Sequence, residues 1–115
     1  MSSAPFEELS HLDRVIHEPA RLAILTALAA CHTADFRYLQ SVTALTGGNL
    51  SRHLAKLEAR GLIEMEKSIK GKFPHTAVRL TRTGRNGIEM YWRRLERLGR
   101  SAKVWVTRTR PSTAE

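Results

Sequence analysis

Five stretches of the chain repeat apolar residues at intervals of three or four, and one alternates them at every second position. The pattern predicts helices interrupted by a single β-hairpin. In residues 6–16 the repeat is Phe6, Leu9, Leu12 and Ile16. Pro19 opens the next helix, where a missing N–H costs nothing. Leu22, Ile24, Leu25, Leu28 and Ala29 make that segment the most apolar of the chain, so it is the expected buried centre. Asp35 stands where it can cap a third helix that turns Phe36, Leu39, Val42 and Leu45 inward. Thr46, Gly47, Gly48 and Asn49 break the third helix. Gly48 or Asn49 is the expected cap of a fourth, spanning 49–60, with Leu50, Leu54 and Leu57 inward and Gly61 as its left-handed stop.

Past Gly61 the period drops to two. Ile63, Met65, Lys67 and Ile69 share one face, with Glu64, Glu66 and Ser68 on the other. Lys70, Gly71, Lys72, Phe73 and Pro74 interrupt the alternation, which resumes from His75 to Thr81 with Thr76, Val78 and Leu80 together. A hairpin with a basic tip is predicted. Thr81 or Thr83 then caps a last helix carrying Ile88, Tyr91, Trp92, Leu95 and Leu98 as far as Gly99. Residues 1–100 read as one domain and 101–115 as a basic, partly flexible tail.

Helix, helix, short helix, glycine-containing turn, helix, hairpin, helix is the order of a winged helix-turn-helix, mostly α with a small β-hairpin. In that architecture the helix after the turn enters the major groove and the hairpin, or wing, reaches the adjacent backbone or minor groove. With Leu50, Leu54 and Leu57 inward, Arg52, Ala55, Lys56 and Ala59 face outward and Ser51 lies at the edge. A small, cationic face of this kind can approach base edges. Arg52 is the candidate base reader, because its planar guanidinium can bond guanine O6 and N7 together. Ser51 and Lys56 are candidate phosphate contacts, and Asn49 either caps the helix or reaches a base. His53, at the boundary of the inward face, reads better as a packing residue than as a base reader. Lys67, Lys70, Lys72 and Arg79 supply a cationic wing at 67–79, with His75 at its base. The same charges would also keep a hairpin edge from aggregating. Phe73 either stiffens the tip or wedges into a minor groove.

Charge sharpens the choice of partner. Lys and Arg number 19 against 11 Asp and Glu, for a net charge of +8. The excess is uneven: residues 1–34 hold two basic and four acidic residues, and the remainder 17 basic and seven acidic. A polyanion is the natural partner. The start, MSSAPFEEL, lacks the basic and apolar run of a signal peptide, and the single Cys31 can form neither an intrachain disulfide nor a zinc cage. A cytoplasmic protein is expected. His11 and His17 lie six apart and do not stack on one helix face, and Cys31 beside His32 is no metal site by itself. No Ser, His and Asp set, carboxylate pair or phosphate-binding glycine loop emerges, so neither an enzyme nor a cofactor or metal is expected.

The segments HEPARLAILTALA, DFRYLQSVTALTGGNLSRHLAKLEARGLIEMEK and KGKFPHTAVRLTRTGR carry a family likeness. From Val15 to about Leu95 the chain resembles the winged-helix DNA-binding domains related to the MarR and ArsR regulators. The run NLSRHLAKLEARGLI, followed by a basic hairpin and LTRTGR, is its most specific part. The resemblance implies a dimeric transcription regulator, a repressor that binds double-stranded DNA at a pseudo-palindromic operator. N- and C-terminal helices would then serve dimerisation, with Phe6, Leu9, Leu12, Tyr91, Trp92, Leu95 and Leu98 as the interface. The cysteine pairs common in metal-sensing ArsR members are missing. A small-molecule or protein effector is left open. Two other classes compete: a protein-interaction module that docks a partner on helix 49–60, and a general nucleic-acid or RNA-binding domain.

Overall fold

The computed structural model describes residues 12–109. Its elements in order are α1 (Pro19–Ala29), β1 (Ala34–Asp35), α2 (Phe36–Thr43), α3 (Gly47–Ala59), β2 (Ile63–Lys70), β3 (Phe73–Leu80) and α4 (Arg82–Thr109). The strands form one antiparallel sheet in the order β1-β3-β2. Four helices and a small three-stranded sheet make this a winged helix. Among the described residues, no helix is long and apolar enough to cross a membrane.

The core forms where the apolar repeats meet. Ile24, Leu25 and Leu28 of α1, Leu39 of α2, and Leu50, Leu54 and Leu57 of α3 are buried together with Ile63, Val78 and Ile88. Each fully buried aliphatic side chain contributes about 1.5 to 3 kcal/mol relative to exposure. Helices α1, α2 and α3 are individually short, so their order rests on packing.

The helix ends are built from side chains. Glu18 caps α1 by accepting from the Arg21 amide at 2.8 Å, with Pro19 following in the first turn. Asp35 caps α2 through the Tyr38 amide at 2.7 Å, as expected. At α3 the cap lies earlier than expected. Thr46 accepts from the Asn49 amide at 3.1 Å, and Gly47 and Gly48 form the first turn. A threonine preceding two small residues fits that role without strain. At the other end, Gly61 adopts φ 73° and donates to Glu58 O, while the Leu62 amide reaches Leu57 O at 3.0 Å. This pair of bonds is the Schellman closure that only glycine adopts at low cost.

Several expectations are corrected. The helix expected over 6–16 is not continued in its described part. Residues 12–18 run as turns, because the Asp13 carboxylate binds the Val15 amide at 2.8 Å and competes with helical bonding. Leu12, Val15 and Ile16 are nevertheless buried. Val42, expected inward, is exposed, since eight residues of α2 present little more than Leu39 to the core. The interruption expected at 70–74 shrinks to Gly71 and Lys72: Lys70 pairs with Phe73 and Ile69 with Pro74. Gly71 takes φ 64°, which suits the first position of a tight two-residue hairpin. Strand β1, joined to β3 at Ala34 and Asp35, was not anticipated.

Helix α4 does not stop at Gly99. It runs 28 residues, about 42 Å at 1.5 Å per residue, and the alternation near Val104 and Val106 lies within it. A lone glycine costs about 1 kcal/mol in a helix, too little to end one. Thr81 ties the start of α4 to the end of α3. Its hydroxyl donates to Gly61 O and accepts from the Gly84 amide, and its own amide donates to Leu62 O at 3.1 Å.

Candidate nucleic-acid interface

The local reason for the site is the two-sidedness of α3. Leu50, His53, Leu54 and Leu57 are buried, whereas Asn49, Ser51, Arg52, Ala55, Lys56 and Ala59 are exposed. Freed from capping by Thr46, Asn49 binds its neighbour one turn on: Arg52 Nη2 donates to Asn49 Oδ1 at 2.9 Å. The bond holds the guanidinium against the helix surface and leaves its other donors available. A planar, partly anchored fork loses less entropy on binding a base edge than a free one.

The wing cations divide into two sets. Lys67, Lys70 and Lys72 are exposed along the hairpin. Arg79, at its base, donates to Glu64 across the β2–β3 pair at 3.1 Å; His75, expected at the base, instead stands opposite Ser68, nearer the tip than Lys67, and its Nε2 lies 3.7 Å from Asp35 Oδ2. Of the expected wing cations, the structure therefore leaves the three lysines in solvent and gives Arg79 and His75 local carboxylate neighbours. The Arg79–Glu64 pair is largely solvated and contributes little to stability. Ile69 and Phe73 are also bare at the tip, at 74% and 72% exposure. A cleft of about 370 Å³ lies between the wing and the start of α2, lined among others by Phe36, Arg37, Lys70 and Phe73.

Behind the recognition face stands a constellation that periodicity did not reveal. Arg21 Nε donates to Val15 O at 2.7 Å, and Arg21 Nη1 lies 3.3 Å from His53 Nδ1. Burial drives the His53 pKa below its ordinary range; Glu18 opposes that, and Arg52, Arg21 and Lys56 reinforce it. Burial works against the Glu18 carboxylate, but the Arg21 amide bond and the nearby positive charges outweigh it and hold its pKa down. The packing role expected of His53 matches its burial, and its polar partner is the added finding. The capping residue Glu18, with Arg21 four places before Leu25, could have been noticed in the sequence; the contact with His53 could not.

The expected interface residues separate by position. Leu12, Tyr91 and Leu98 are buried within the single chain, Leu95 is half-buried, and Trp92 is exposed beside Tyr91. The Tyr91 hydroxyl lies 2.8 Å from His17 Nδ1. Phe6 and Leu9 lie outside the described residues. Met90, Val104 and Val106 are further exposed apolar residues of α4. Among the described residues, no three His, Cys, Asp or Glu gather where they could hold a metal.

Residues 20–98 match the family model of a winged helix DNA-binding domain. An uncharacterized protein of Methanocaldococcus jannaschii is 37% identical over 79 residues, spanning 68% of this chain and 85% of the relative. Among solved structures, the transcriptional regulator homologue protein from Pyrococcus horikoshii OT3 superposes with a TM-score of 0.66 at 31% identity, over 88% of this chain and 95% of that one. A MarR-family transcriptional regulator from Silicibacter pomeroyi shares the fold with a TM-score of 0.60 at 22% identity, over 89% of this chain and 64% of that one.

Proposed function

The chain belongs to the winged helix DNA-binding domain family, and on that premise we propose that it is a MarR-type transcription regulator that binds a pseudo-palindromic operator as a homodimer. The observation that carries the reading is the exposed run Asn49, Ser51, Arg52 and Lys56 on a helix whose opposite face is wholly buried. Arg52 reads a base, Ser51 and Lys56 hold phosphate, and Asn49 sets the Arg52 fork. Lys67, Lys70 and Lys72 of the wing neutralise backbone phosphates, which adds affinity without sequence preference.

The dimer rests on α4. Leu98 is its last buried aliphatic residue, and 11 residues, Gly99 to Thr109, continue the helix beyond it. Trp92, Val104 and Val106 offer exposed apolar surface along the helix, and a two-fold pair would present two recognition helices to half-sites one turn of DNA apart. Repression demands the least of such a protein, since occupancy of an operator is enough. Transcriptional regulators among its structural relatives agree with a role in binding rather than catalysis.

The decisive experiment is selection of bound fragments from genomic DNA with the purified protein, followed by titration in salt. Sequence-selective, salt-sensitive binding with two symmetric half-sites is expected. Tight binding that ignores sequence would replace this reading by general nucleic-acid binding, and no DNA binding would leave the protein-interaction module.

A further inference from the structure

His53 is the one buried polar or charged side chain among the described residues, at 7% exposure. It sits on α3 directly after Arg52 and three residues before Lys56. An imidazole in such a place costs stability unless it is hydrogen-bonded, and a leucine would complete the inward stripe more cheaply. The bond it makes is directional. Guanidinium is always protonated and only donates, so the Arg21 Nη1–His53 Nδ1 contact of 3.3 Å makes Nδ1 the acceptor and leaves the ring proton on Nε2. The same guanidinium donates through Nε to Val15 O at 2.7 Å, in the turn before α1. The Arg21 amide is in turn bonded to Glu18 at 2.8 Å. The planar fork has fixed angles between its donors. With one arm on the backbone, the other can meet His53 along only one direction.

Leu50, Leu54 and Leu57 hold α3 to the core by contacts that have no preferred direction. They permit small rotations of the helix about its axis. A side chain some 5 to 6 Å from that axis moves about 1 Å for a rotation of 10°, enough to take a bidentate contact out of hydrogen-bond range. We propose that Arg21 is a positioning residue for DNA reading: by bridging Val15 O and His53 Nδ1 it sets the rotation of α3 and so the aim of Arg52. The proposal rests on the reading of α3 as the recognition helix.

Arg21→Lys keeps the cation but replaces the fork with a single flexible point, and His53→Leu removes the acceptor while keeping an apolar filler. His53→Gln retains an oxygen that can accept from Arg21. The selected operator, the same operator altered at the base pair assigned to Arg52, and unrelated DNA are titrated against each full-length variant. For Arg21→Lys and His53→Leu, discrimination between operator and altered operator falls about tenfold, while affinity for unrelated DNA and the salt slope stay as in the wild type. His53→Gln restores most of the discrimination. Nitrogen-15 spectra of wild-type His53 show the Nε2–H tautomer without DNA present. Full discrimination in Arg21→Lys, or a wild-type ring protonated on Nδ1, overturns the proposal. So does an equal loss on all DNA that parallels a fall in melting temperature. A wild-type protein that itself fails to discriminate overturns the recognition-helix reading and this inference with it; a discriminating wild type with an equally discriminating Arg21→Lys overturns this inference alone.

Discussion

Replacing Gly84 with alanine sets two effects of opposite sign against each other. Gly84 lies in the first turn of α4, three residues after its Thr81 cap. In an unobstructed helix the change to alanine stabilises by up to about 1 kcal/mol. Here a methyl group would sit 2.9 Å from the Leu62 carbonyl carbon, 3.2 Å from Leu62 Cα, and closer still to Leu62 O. Those atoms are backbone at the end of the α3 closure, and Leu62 O also accepts from the Thr81 amide. They cannot swing aside as a side-chain tip would. Opening the contact by roughly an ångström separates α4 from the α3–β2 junction, a case for the upper part of the overpacking range, about 3 kcal/mol.

After the helix-propensity gain, a net loss of about 2 kcal/mol remains, or roughly 8 °C in Tm for a domain of this size. Gly99 provides the internal control. It is in the same helix with nothing within 4 Å of an added methyl, so Gly99→Ala should raise Tm by a few degrees. Thermal unfolding followed by circular dichroism at one protomer concentration measures both, since a dimer melts at a concentration-dependent temperature. A Gly84→Ala protein melting at or above the wild type would refute the close approach of α4 to Leu62.

Arg52→Ala should cost about 1 to 3 kcal/mol of operator affinity and relax preference at one base position per half-site; competition with single-base operator variants measures this, and a uniform loss on all sequences would remove Arg52 from base reading. Lys72→Ala should weaken binding evenly and reduce the slope of log K against log salt by about 1; an unchanged slope places the wing tip off the phosphates. Acid should destabilise the fold through His53. Its pKa is lower in the folded chain than in the unfolded one, so its contribution is complete above pH of about 6.5 and is lost as pH falls from there through the folded value. Urea unfolding at descending pH should show this loss in the wild type and a smaller one in His53→Gln, and equal pH profiles would count against it.

What could be read from residue order was the information carried by near neighbours. The three-and-four spacing of Leu50, Leu54 and Leu57 determined which face of α3 is buried and left Arg52 and Lys56 outside. Gly61 marked the end of that helix, and the alternation after it marked the wing. Such signals are local because helix and strand periods repeat within a few residues. The same locality made the cap of α3 ambiguous between adjacent polar and small residues, and geometry assigned it to Thr46. That assignment released Asn49 to hold Arg52.

Tertiary structure decided whatever depends on residues far apart in the chain. Strand β1 is two residues long, too short to show a period, and exists because β3 offers it a free edge. The close fit of Gly84 to Leu62 joins positions 22 apart, and the Arg21 bond to His53 joins positions 32 apart. Turns stand at 12–16, where a helix is expected, because the Asp13 carboxylate takes the Val15 amide while Leu12, Val15 and Ile16 fill places set by the helices around them. The sequence by itself determined a winged helix and the outward chemistry of its recognition helix, since both follow from periodicity and charge. Only packing decided how that helix is anchored from behind, because a directional bond between distant side chains leaves no period in the residue order.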